Sequence, residues 1–84
     1  MIKVCFFARV REQLGCAELE VPWSGSGVSL DALQEQLCVE HGALWRAVLT
    51  EDNMVRAVNQ VVVAGNPTLR DGDEIAFFPP VTGG

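Results

Sequence analysis

Residues 69–80 read LRDGDEIAFFPP. Asp71-Gly72 is a tight-turn pair, because glycine accepts the backbone conformations that such turns demand. Leu69 anchors the chain ahead of that turn. Beyond it, Ile75 and Phe77 alternate with Ala76 and Phe78, and this period of two predicts a strand over EIAFF, residues 74–78. Pro79-Pro80 ends the strand, since proline has no N–H to give to a sheet ladder.

The opening of the chain answers this stretch. Residues 2–8, IKVCFFA, read as a strand with Ile2, Val4 and Phe6 on one face and Lys3, Cys5 and Phe7 on the other. RVREQLG follows as a turn or a short helical stretch ending at Gly15. CAELEV, residues 16–21, alternates as a half-buried second strand, which Pro22 ends and the loop WSGSG follows. Ser29 is a plausible N-cap, with Asp31 in the first turn where it favours the helix dipole. Leu30, Leu33 and Leu37 recur at helical spacing, and Gly42 is placed to end the helix. ALWRAVL reads as a second helical piece pairing Leu44 with Val48 and Trp45 with Leu49. MVRAV and VVVA are two further short strands, separated from the final strand by the turns GNP and RDGD.

The order is ββαββ with a second short helix after the first. A hairpin, a helix crossing one sheet face and further strands make a two-layer α+β domain. Its most compact arrangement sets the first and last strands side by side and parallel at the centre, joined by a right-handed crossover. That is the β-grasp, or ubiquitin-like, fold: a mixed sheet of four to five strands with one main helix on one face. The predicted domain covers residues 1–78, and residues 79–84 form an extended C-terminal tail.

Composition narrows the function. The 84 residues suffice for one domain. The net charge is −5 and no run is basic, which argues against a nucleic-acid partner, whose phosphates need clustered Lys and Arg. The apolar stretch VCFFA is far short of the roughly 20 residues a membrane span needs, and no export signal precedes it. The expected location is cytoplasmic. Three cysteines, Cys5, Cys16 and Cys38, do not suggest a disulfide framework.

Three places invite chemistry. The tail is first. Pro79 and Pro80 stiffen it, β-branched Val81 and Thr82 favour extension, and Gly83-Gly84 carries a carboxylate on a tip slim enough for a narrow slot. The other reading is a frayed end with idle glycines. Second, if Ile2, Val4, Phe6, Ile75 and Phe77 pack under the helix, alternation turns Phe7, Phe78 and Val62 outward as an apolar docking patch. The alternative has VREQL covering them. Third, Cys38 and His41 stand three residues apart on the helix. Zinc spacing lacks a second Cys pair, so buried thiols and a histidine near the helix C-terminus are the default. Likewise the acids of LRDGDE read as a turn rather than a calcium loop, which needs more ligand positions.

MIKVCFFARVRE at the start, AVNQ in the middle, and LRDGDEIAFFPPVTGG, together with the length, resemble the family of small, sulfur-carrier subunits of molybdopterin synthase. The resemblance spans the chain; its ends are most specific, and residues 16–50 follow it in pattern only. A Gly-Gly end alone is shared with the thiamin-pathway sulfur carrier and ubiquitin-like modifiers. The double proline after two phenylalanines points to the molybdopterin branch. The resemblance implies that an ATP-using, E1-like adenylyltransferase activates the Gly84 carboxylate and that a sulfur donor system converts it to a thiocarboxylate. The tail then enters the large subunit of a heterotetramer and gives sulfur to cyclic pyranopterin monophosphate. On this resemblance Gly84 bears the sulfur, Gly83 gives access, and Pro79, Pro80, Val81 and Thr82 line the inserted tail. Phe7, Arg11, Val62 and Phe78 are the docking candidates. No metal or cofactor is expected on this chain, whose catalytic groups would stand on the large subunit. Carriers for thiamin or tRNA thiolation, and an interaction module with an inert tail, are the competing readings. Nothing assigns a role to the loop at residues 22–27 or to Cys16.

Overall fold

The structure is a computed structural model that describes residues 1–23, 25 and 28–80. Its elements are β1 (Ile2–Phe6), α1 (Ala8–Leu14), β2 (Glu18–Val21), α2 (Leu30–His41), α3 (Ala43–Leu49), β3 (Val55–Val58), β4 (Val61–Val63) and β5 (Glu74–Phe78). The strands form one mixed sheet in the order β2-β1-β5-β3-β4. β1 and β5 are parallel at its centre, with Val4 opposite Ile75 and Phe6 opposite Phe77. The other pairings are antiparallel. This is the β-grasp arrangement, with five strands and α2 as the main helix.

The inward residues of the central strands make the floor of the core. Val4, Ile75 and Phe77 are fully buried, and Leu30, Leu33 and Leu37 of α2 pack over them. Phe6 links the layers. Its ring stacks on Phe77 at 5.8 Å and meets Trp45 of α3 edge-on at 5.2 Å. α2 begins as its sequence suggests: the Ser29 hydroxyl accepts the Ala32 N–H at 3.1 Å. It ends at Gly42, whose φ of 97° suits glycine.

Three expectations are refined. β1 stops at Phe6 rather than running to Ala8. Phe7 N–H still donates to Phe77 O at 3.2 Å, but Phe7 caps α1 and Ala8 turns with φ 52°. RVREQL is helical, fixed by buried Val10 and Leu14 on one side. Leu44, paired by spacing with Val48, is 57% exposed, while Trp45, Val48 and Leu49 are buried. The break at Gly42 rephases α3, so the inward stripe starts one residue later.

A turn the spacing did not single out joins β3 to β4. Asn59 and Gln60 have φ of 50° and 69°, the two-residue hairpin geometry that usually asks for glycine. Asn59 earns the position with its side chain. Its Nδ2 donates to Asp73 Oδ1 and its Oδ1 accepts from the Glu74 N–H, both at 2.9 Å, tying the hairpin to the start of β5. Among the described residues no helix is long and apolar enough to cross a membrane.

Leu37, on the inner face of α2, is completely buried. Leu37→Ala should therefore lower unfolding stability by about 3 kcal/mol through lost burial and a residual cavity. Urea titration should show this as a lower midpoint at unchanged slope.

Candidate functional site at the root of the C-terminal tail

The sheet face opposite the helices carries a concave apolar depression of about 650 Å³. Its shape follows from side-chain size and register. Ala57 of β3 sits opposite Ala76 of β5 and opposite Val62 of β4, so these residues share one face. Two alanines make a low floor. Phe7, Val62 and Phe78 stand around it, and Pro79 and Pro80 close one end. Phe7 is 47% and Val62 63% exposed, so α1 does not cover the patch. The alternative of a lid formed by VREQL is thus set aside: α1 packs its buried side chains into the core instead.

The structure brings together Phe7, Val62, Phe78, Pro79 and Pro80. It does not bring Arg11 to them. Arg11 is exposed on α1, does not line the depression and makes no ion pair among the described residues. Val81, Thr82, Gly83 and Gly84 lie outside the described residues. Spacing missed Ala8, Ala57, Gln60, Glu74 and Ala76. The signal of the two floor alanines, Ala57 and Ala76, is weak in a sequence, because a floor of small residues shows only once strand register is known.

The remaining polar groups hold the frame. Arg56 reaches from β3 to Asp31 Oδ1 and Gly65 O, both at 2.6 Å, and to Gln34 Oε1 at 3.1 Å. Arg46 grips Glu35 with two bonds of 2.8 and 2.9 Å, which lowers the Glu35 carboxyl pKa. Asp71 pairs with the Met1 amine, and Asp73 accepts the Arg70 N–H, so the acids of LRDGDE organise a turn. Cys38 is buried, with its thiol pKa pushed up by desolvation, whereas His41 is exposed and stacks on Trp45 at 3.9 Å. The two diverge. Among the described residues no three His, Cys, Asp or Glu side chains cluster as a metal site would require.

An apolar concavity of this kind has the character that docking surfaces and ligand sites share. Comparison with known proteins gives this arrangement a lineage. The model of the ThiS family matches residues 4–84. The chain belongs to the ThiS family. Within reach of this ThiS-family chain, the molybdopterin synthase sulfur carrier subunit of Escherichia coli (strain K12) is 43% identical over 84 residues, covering all of both chains. The fold matches SAMP1 from Haloferax volcanii with a TM-score of 0.74 at 24% identity, over 99% of this chain and 98% of that one. A chain of the complex of subunits 1 and 2 of the molybdopterin-converting factor from Helicobacter pylori 26695 gives a TM-score of 0.63 at 26% identity, over 99% of this chain and 97% of that chain.

The three thiols differ in access. Cys5 is buried on the sheet and its pKa is raised, first by desolvation and then by Glu74; Cys16 is half-buried with its Sγ turned to Glu18 O at 3.4 Å. Ellman's reagent should label Cys16 first, with Cys5 and Cys38 slower by about tenfold or more until the protein unfolds. Peptide mapping of partially labelled protein checks the order.

Proposed function

We propose that this chain is a sulfur-carrier subunit of molybdopterin synthase. Domain and tail divide at Phe78: residues 1–78 dock, and residues 79–84 deliver. The Gly84 carboxylate is a poor electrophile until an E1-like adenylyltransferase, using ATP, joins it to AMP. A sulfur donor system then displaces AMP and leaves a thiocarboxylate, whose sulfur is a nucleophile. Gly83, lacking a side chain, lets that sulfur enter a narrow site. Pro79 and Pro80 hold the tail stem extended, with Val81 and Thr82 lining its inserted part. Phe7, Val62 and Phe78 seat the large subunit, and Arg11 meets acidic groups at the edge of the contact. The large subunit supplies the catalytic groups, and sulfur passes to cyclic pyranopterin monophosphate. Two such transfers build a dithiolene. The working assembly is a cytoplasmic heterotetramer with one carrier at each end, and the chain itself holds no metal or cofactor.

One observation carries this reading: the apolar depression is bounded at one end by Pro79 and Pro80, where the tail begins. Docking and delivery then share one pole of the molecule. The full-length similarity to the Escherichia coli sulfur carrier subunit supports the choice of reaction.

Incubated with its activating enzyme, ATP and a sulfur donor, the protein should gain about 16 Da, one oxygen replaced by sulfur at the terminal carboxyl. Deleting Gly84, or adding one residue after it, should abolish the gain and sulfur transfer while leaving thermal unfolding unchanged. A protein that never gains this mass is not a sulfur carrier.

Val62→Asp places a charge in the apolar depression. It should weaken capture of the large subunit at least about tenfold, the cost of an unpaired charge in a contact, without lowering the melting temperature. Identification of the captured protein separates the pathways: a thiazole synthase or a tRNA-thiolation enzyme in its place would redirect the assignment.

A further inference from the structure

Where the described backbone turns to positive φ it mostly uses glycine, five times in all. The exceptions are Ala8, Asn59 and Gln60, with φ of 52°, 50° and 69°. A left-handed backbone is unfavourable for any residue with a Cβ, least so for asparagine, and it persists where something else requires it. The three exceptions are not scattered. Ala8 and Gln60 both line the apolar depression, and Asn59 is the chain neighbour of Gln60.

Asn59 is explained within the chain, by the bonds of its amide to Asp73 and Glu74. Those bonds fix the left-handed start of the β3–β4 turn. Val58 pairs with Val61, so two residues make the turn, and the second must be left-handed as well. Glycine is the residue this second position favours. Gln60 stands there instead. It is exposed, and among the described residues its amide makes no hydrogen bond that would offset the strain.

What distinguishes Gln60 is its place. The lining of the depression is apolar except for Gln60 and Glu74. Glu74 stands opposite the cationic Lys3 across the β1–β5 pairing. Gln60 is therefore the one neutral polar side chain of the lining, with N–H groups to donate and a carbonyl to accept. Apolar walls carry little direction, and a polar group among them fixes the orientation of what lies there. The natural complement of a primary amide is a peptide group, which offers one acceptor and one donor.

We infer that Gln60 orients the docked partner: its side-chain amide, held out from a strained turn that glycine would relax, bonds a main-chain peptide group of the protein seated in the depression. The partner's identity rests on the carrier reading; the strain does not. Full-length Gln60→Gly relaxes the turn and removes the amide together. Its melting temperature should rise by about 4 °C or more, while its affinity for the purified large subunit of molybdopterin synthase, measured by calorimetric titration, should fall about fivefold or more. Gln60→Ala keeps the Cβ, and the strain with it, but lacks the amide. It should melt as wild type does and lose affinity to the same extent. A residue serving only the fold would not gain stability and lose binding in one substitution.

Two results overturn the inference alone: a Gln60→Gly protein that melts no higher than wild type, or either folded variant binding the large subunit as tightly as wild type does. Failure of the wild-type chain itself to bind the large subunit is a different outcome. It overturns the carrier reading, and the orienting contact falls with it.

Discussion

The parallel pairing of β1 with β5 is the constraint from which the rest follows. Parallel neighbours cannot be joined by a hairpin, so the chain between them must cross a sheet face, and α2 and α3 supply that crossing. The crossing covers one face only. Val4, Phe6, Ile75 and Phe77 become core, and the alternate residues of the same strands are left facing outward. One pairing thereby creates both the packed interior and the open apolar face. It also sends the start of the chain to one end of the sheet and the tail to the other.

What turns the open face into a depression is a contrast of volumes. Ala57 and Ala76 lie opposite each other at the centre, and larger side chains surround them. The contour depends on register, and register here is pinned at the ends of the strands. Asn59 ties the β3–β4 hairpin to Asp73 and Glu74, while Arg56 ties β3 to the start of α2 and to Gly65. Slippage of β3 by one residue would exchange Ala57 for Arg56 or Val58 on the floor. These polar contacts therefore matter to the site although none of them lines its apolar centre.

Much of this was legible in the sequence, for identifiable reasons. EIAFF followed by two prolines carries a period-two pattern strong enough to give strand, facing and end together, and IKVCFFA at the start gives strand and facing but runs two residues past the end at Phe6. The triplet Leu30, Leu33 and Leu37 did the same for α2, and the outward placing of Phe7, Val62 and Phe78 followed from parity alone. The phase of α3 did not, because the geometry at Gly42 resets the helical stripe and no spacing records that reset. The Asn59-Gln60 turn was hidden for a similar reason: its left-handed residues are stabilised by contacts to Asp73 and Glu74, which are distant in sequence. Alanine floors are silent until the strands that bear them are aligned.

The central pair has a mechanical consequence. A pull that withdraws the tail from a partner enters the domain through Phe78 and runs along β5. Where the opposing load is carried by β1, the two parallel strands slide past each other instead of peeling apart. Every hydrogen bond between them must then yield at once, with the Phe6–Phe77 stack resisting the same displacement. Peeling would break those bonds one at a time at far lower force. A domain built this way can be tugged repeatedly by its end and let its grip on a partner give way before its own fold.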